Sequence, residues 1–98
     1  MRRIASHYIF WKQLYCMYYA ELDDEGLLQG VYPLQEEAPA TEFYDGLLFP
    51  VPAGAVLPYP LTAEQIRRSG ITDGVSTGDR VDLYRVHEGR IVLMNGKG

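Results

Sequence analysis

The 98-residue chain has little of the side-chain chemistry that catalysis draws on: one cysteine, two histidines and no cluster of basic residues. A hydrolytic zinc centre needs three protein ligands and an open position for activated water. His7, Cys16 and His87 are separated by whole predicted strands, and no metal site is expected of them. Cys16 cannot close an internal disulfide, which points to a reducing, cytoplasmic setting. Nine Lys plus Arg stand against thirteen Asp plus Glu, a formal net charge of −4. The pairs Arg2 with Arg3 and Arg67 with Arg68 are too small to make the basic stripe that nucleic acid requires, so no nucleic-acid partner is expected. No run approaches the roughly 20 apolar residues of a membrane span. The dibasic start is broken at once by Ser6, His7 and Lys12, and no small-residue cleavage site follows, so a signal peptide is not expected.

What is present is a β pattern rich in aromatics. Residues 4–10 and 13–22 alternate with a period of two. In the second run Leu14, Cys16, Tyr18, Ala20 and Leu22 should share one face, and Tyr15, Met17, Tyr19 and Glu21 the other. Both faces are apolar enough to predict a strand covered on each side. Residues 23–26, Asp-Asp-Glu-Gly, read as a turn, and a third strand over 27–34 completes a meander. Residues 35–41 read as an acidic surface loop. Residues 42–49 read as a short strand pair or a strand kinked at Asp45 and Gly46. Residues 50–60 hold four of the six prolines and predict an extended connector, because proline cannot donate to a ladder. Thr62 as N-cap, Gln65 three residues on, Leu61 against Ile66 and a left-handed Gly70 predict one short helix near residues 62–69. Two last strands, 80–86 and 90–94, flank His87, Glu88 and Gly89, read as a three-residue hairpin loop. The fold class is thus mainly β, a small β-sandwich or partly open barrel of about six or seven strands in one domain over residues 1–98.

Three blocks resemble the metal-dependent amidohydrolase superfamily. They are Ile4-Ala5-Ser6-His7-Tyr8-Ile9-Phe10, the Glu21 to Gly26 turn, and Phe43-Tyr44-Asp45-Gly46-Leu47-Leu48-Phe49-Pro50. They are similar to the N-terminal part of the guanine-deaminase-like and chlorohydrolase-like members. The tail, residues 62–70 and 74–83 followed by Asn95-Gly96-Lys97, resembles the same family's exit from its catalytic barrel. The resemblance implies the small β domain that those enzymes assemble from both chain ends. The family's His-x-His metal pair would stand just after Pro50, where this chain reads Val51-Pro52-Ala53-Gly54. The roughly 200 or more residues of a barrel are replaced by a connector of about eleven, residues 50–60. The resemblance therefore implies a β domain without its barrel, with no catalytic residues, metal or cofactor to carry over.

The remaining candidates are surfaces. Eight tyrosines and one tryptophan are more than a core this thin requires, since a chain of this length buries only roughly 60 to 65% of its unfolded surface. Trp11, Tyr15, Met17 and Tyr19 are the expected interaction face, for a second copy or another protein. Tyr44, Asp45 and Tyr59 are the expected lining of a small-ligand pocket, the alternative use. His7 is expected to be partly buried and hydrogen-bonded, His87 exposed at a hairpin tip, and Cys16 an inert buried thiol. Ser6, Ser69 and Ser76 have no histidine nearby in sequence to activate them.

Overall fold

The computed structural model describes residues 1–35 and 40–96. The two aromatic-rich runs form β1 (Arg2–Trp11) and β2 (Gln13–Leu22), antiparallel across a turn at Lys12, whose φ is 67°. β3 (Leu28–Pro33) extends this meander antiparallel to β2. β4 (Thr41–Pro52) pairs parallel with the other side of β1. After α1 (Ala63–Ser69), β5 (Val81–His87) pairs antiparallel with β4, and β6 (Arg90–Leu93) with β5. The strand order β3-β2-β1-β4-β5-β6 makes a mainly β mixed sheet with one short helix among the described residues.

The sheet curls until its start approaches the entry to β5. Leu28 N–H donates to the Asp79 carbonyl at 2.9 Å, Gly78 N–H to the Leu28 carbonyl at 2.7 Å, and Val81 N–H to the Gly26 carbonyl at 3.3 Å. A partly open barrel results. Its inner face carries Ile4, Ile9, Ala20, Leu22, Leu28, Leu48 and Leu83, each at most 1% exposed, and Val75 closes on them from the loop before β5. On the outer face Phe49 and Val51 pack under Ile66 of α1, with Phe10, Leu47, Leu61, Tyr84 and Val86 around them. β4 thus feeds both layers by simple alternation: Leu48 points in, Phe49 and Val51 point out.

The helix ends as its sequence predicts. Thr62 Oγ1 accepts the Gln65 N–H at 3.1 Å, and Gly70 takes a φ of 67°. The turn before β3 also follows its residues, Asp23 Oδ1 accepting the N–H groups of Glu25 and Leu27 at 2.9 Å, with Gly26 at φ 81°.

Three expectations are corrected. First, Pro50 and Pro52 are strand residues, paired with Leu83 and Val81, so the connector begins only at Ala53. The prolines stand two apart, which puts both nitrogens on one side of the strand. The last β1 partner of β4 is Leu48, so past that point only the β5 side needs donors. Second, the last hairpin is closed by two residues, Glu88 at φ 52° and Gly89 at φ 77°, with His87 paired to Arg90. Positive φ at both central positions is the type I′ pattern, whose twist suits a two-residue loop. Of the two readings of 42–49, the kinked strand is the one found: a single strand carries a bulge at Asp45 and Gly46, where the register against β1 slips by one residue between Ser6 and Tyr8.

The third correction concerns faces. Met17 lies opposite this bulge region with φ 57°, and the side-chain phase of β1 and β2 reverses there. Tyr18, Ala20 and Leu22 point inward with Tyr15, whereas Leu14 and Cys16 point outward. Of the acidic loop expected over 35–41, residues 36–39 lie outside the described residues, as do Lys97 and Gly98, and Thr41 already belongs to β4. No helix among the described residues is long and apolar enough to cross a membrane.

Candidate protein interface

The seven residues of α1 span only about 10 Å along the helix axis, too little to roof the outer face of the sheet. The helix is anchored over Phe49 and Val51 by Ile66, and the β1–β2 hairpin continues beyond it. Between them runs an open cleft of about 710 Å³. Tyr8, Phe10, Leu14 and Leu47 form its apolar wall, and Ala63, Glu64 and Arg67 of α1 form the other. Tyr8 is 47% and Leu14 55% exposed, so two large side chains stand open on the same wall. Cys16, across the ladder from Tyr8, continues the same surface and is exposed rather than buried. Glu64 pairs with Arg68 at 3.3 Å and reaches Arg67 at 4.0 Å. Exposed pairs of this kind are weak enough to re-form with an outside partner.

The four residues expected to form one interaction face are dispersed by the phase reversal. Trp11 and Tyr15 pack against the inner core, and the Trp11 Nε1–H donates to the Val75 carbonyl at 3.1 Å. Met17 is 45% exposed, and Tyr19 is half-buried with its ring 5.7 Å from that of Tyr32. The residues of the cleft were missed because strict alternation placed Leu14 with the inward-facing Tyr18. The available signal was Gly46, a glycine inside a strand run, which marks a bulge.

The three expected pocket residues are also separated. Tyr44 packs on the inner core and donates its hydroxyl to Glu42 Oε1 at 2.7 Å. Glu42 in turn receives Arg2, Nε to Oε2 at 2.6 Å and a terminal nitrogen to Oε1 at 3.0 Å. The Arg2 guanidinium holds the Glu42 carboxyl below its ordinary pKa, and the bonds to Glu42 raise the pKa values of Arg2 and Tyr44. Asp45 sits in the bulge 3.5 Å from His7 Nδ1. Tyr59 is 93% exposed, on a loop held to the opposite face through Leu57 and Leu61. None of the three lines the α1 cleft or the polar recess of about 490 Å³ bordered by Asp24, Glu25, Arg80, Asp82 and Asn95.

His7 is about half exposed, edge-on to Phe43 with ring centroids 5.1 Å apart, and so less buried than expected. His87 is half-buried rather than exposed, 3.6 Å from Glu88, because the two-residue loop draws it into the ladder. Ser6 is fully buried and gives its hydroxyl to the Gly46 carbonyl, and Ser69 gives its own to the Ile66 carbonyl. Among the described residues no group of three or more His, Cys, Asp and Glu side chains is placed to hold a metal ion. A comparison with known protein families, curated proteins and solved structures returned no match.

Proposed function

We propose that this chain is a non-catalytic β module whose work is protein interaction and assembly, and that it associates with a second copy of itself through the α1 cleft. The observation that carries the reading is the exposure of Tyr8 and Leu14 side by side on the wall of that cleft. Contiguous apolar surface of this kind marks interaction sites, and aromatic side chains lose little entropy when fixed there. The cleft carries both a carboxylate, Glu64, and a guanidinium, Arg67. Two copies related by a two-fold axis therefore offer each charge its opposite. The resemblance to the amidohydrolase β domain supports the same reading, since in that family the domain packs against a barrel, and a second copy would take the barrel's place. A thin core also favours association, which deepens it.

The test is light scattering of the full chain over a range of concentrations, beside the variant Leu14→Glu. The parent is expected to run as a dimer at high concentration and the variant as a monomer with an unchanged circular dichroism spectrum. A parent that stays monomeric throughout removes the self-assembly reading, and a dimer indifferent to Leu14→Glu removes the cleft from it. Stoichiometric zinc in protein purified without chelators, together with hydrolysis of an amide or amidine substrate, would overturn the non-catalytic part.

A further inference from the structure

β6 is one edge of the sheet, and its outward side has no neighbouring strand among the described residues. The hairpin decides which backbone groups face outward. In an antiparallel ladder alternate residues direct both N–H and C=O to the same neighbour. Met94 N–H donates to the Leu83 carbonyl at 2.7 Å, so Arg90, Val92 and Met94 address β5, and Ile91 and Leu93 aim their backbone groups away from it. Edges left open in soluble proteins are commonly blunted by lysine, proline or a bulge. β6 reads Arg-Ile-Val-Leu, and Ile91, Val92 and Leu93 are 39%, 47% and 39% exposed. The opposite edge is treated differently: β3 is tied at its start to residues 78–79 and ends at Pro33.

The two faces of this edge differ in chemistry. Cross-strand partners share a face, which places Ile91 and Leu93 beside Val86 and Tyr84 on the apolar α1 side. Arg90 and Val92 lie on the other side beside His87 and Arg85. The Arg85 Nε–H donates to the Asp45 carbonyl at 2.6 Å, and its guanidinium lies 5.4 Å from the centre of the Tyr44 ring. Arg2, Arg3, Arg67 and Arg68 each have a carboxylate partner, whereas among the described residues Arg85 and Arg90 have none. The nearest acid on this hairpin, Glu88, stands against His87.

We propose that the β6 edge accepts an extended strand from another protein, apolar on the side of Ile91 and Leu93 and acidic on the side of Arg85 and Arg90. The outward N–H and C=O groups of Ile91 and Leu93 supply the main-chain hydrogen bonds, and the alternating side chains supply selectivity. A second copy of β6 matches the apolar side but brings an arginine where the surface asks for a carboxylate. No residue of β6 lines the α1 cleft, and the edge does not depend on assembly there.

The experiment titrates the full isotope-labelled chain with a blocked peptide alternating valine and glutamate, and with its counterpart alternating valine and lysine. The acidic peptide is expected to bind and to slow amide exchange at Ile91 and Leu93, while the basic one does not. Arg90→Glu should weaken binding up to about fivefold, the upper end of what one opposite-charge cross-strand pair is worth. Ile91→Pro removes an outward N–H that β5 does not use and should abolish binding with the fold retained; should it unfold, Arg90→Gln serves in its place, with a smaller loss expected. Leu14→Glu should bind the acidic peptide as the parent does, which separates this result from the assembly reading. Absence of binding, equal binding of both peptides, or binding that leaves the Ile91 and Leu93 amides unchanged overturns the proposal. Concentration-dependent protection of those amides without peptide overturns it in favour of a second copy.

Discussion

Arg2 and Glu42 meet edge-to-edge across the parallel β1–β4 junction, joined by two hydrogen bonds of 2.6 and 3.0 Å. A third bond, from the Arg2 guanidinium to the Met94 carbonyl at 2.5 Å, ties the same side chain to the segment leaving β6. One arginine near the start of the chain thus connects three segments that are distant in sequence, and Tyr44 completes the set by donating to Glu42.

Because the Glu42 pKa is lowered in the fold, the ionised carboxylate is the form that stabilises it. The contribution is present above the range of an unfolded glutamate, about pH 4 to 4.5, and fades as the pH falls through the lower folded value. Side chains 41% and 37% exposed are screened by solvent, so Glu42→Gln should cost about 0.5 to 1 kcal/mol at neutral pH. The difference between variant and parent should shrink toward zero in acid. Urea titrations at neutral pH and at pH 3 measure it, and an equal gap at both would remove the charge from the account.

Gly46 has φ 105°, and a Cβ built there would collide with the Val86 carbonyl oxygen. Gly46→Ala therefore combines backbone strain with a clash inside the β4–β5 ladder and should cost about 2 kcal/mol or more. Thermal unfolding would register this as a fall of roughly 10 °C for a domain of this size. A change of only a degree or two would mean that the bulge can relax elsewhere.

Past Leu93 the β5 edge is finished by a side chain in place of a strand. Asn95 Oδ1 accepts the Leu83 N–H and Asn95 Nδ2 donates to the Val81 carbonyl, both at 2.9 Å. Asn95→Ala leaves one donor and one acceptor of β5 unpaired and should destabilise by about 1 to 3 kcal/mol. Hydrogen exchange supplies the specific readout: the Leu83 amide should lose protection more than the amides of β1 and β2.

The exposure of Cys16 predicts that a thiol reagent modifies the folded protein nearly as fast as the denatured one. A folded rate orders of magnitude slower would place the thiol in the core. A bulky adduct at Cys16, next to Tyr8 on the outer surface, should also weaken self-association if the cleft is the contact.

Much of the local structure could be read directly. The capping of α1 by Thr62 and Gly70, the Asp23 turn and the positions of β1, β2 and β3 follow from side chains acting on their own or adjacent backbone. The candidate cleft was not legible, because it depends on a face assignment that a single left-handed residue, Met17, and a one-residue register slip reversed. Tyr15, expected on the interaction face, packs inside, and Leu14, expected on one face with Tyr18 and Ala20, lines the cleft apart from them.

Residue types and local pattern alone specify a mainly β chain with one capped helix, few catalytic groups and an excess of aromatics. Those are properties of composition and of contacts within a few residues. Tertiary structure alone decided that β4 lies parallel beside β1, that Pro50 and Pro52 belong to the sheet, and that Tyr8 and Leu14 stand in the open while Trp11 and Tyr15 do not. The reason is physical: strand pairing and side-chain phase are set by partners some 40 residues away, as with Ser6 and Tyr44, and no local pattern contains them.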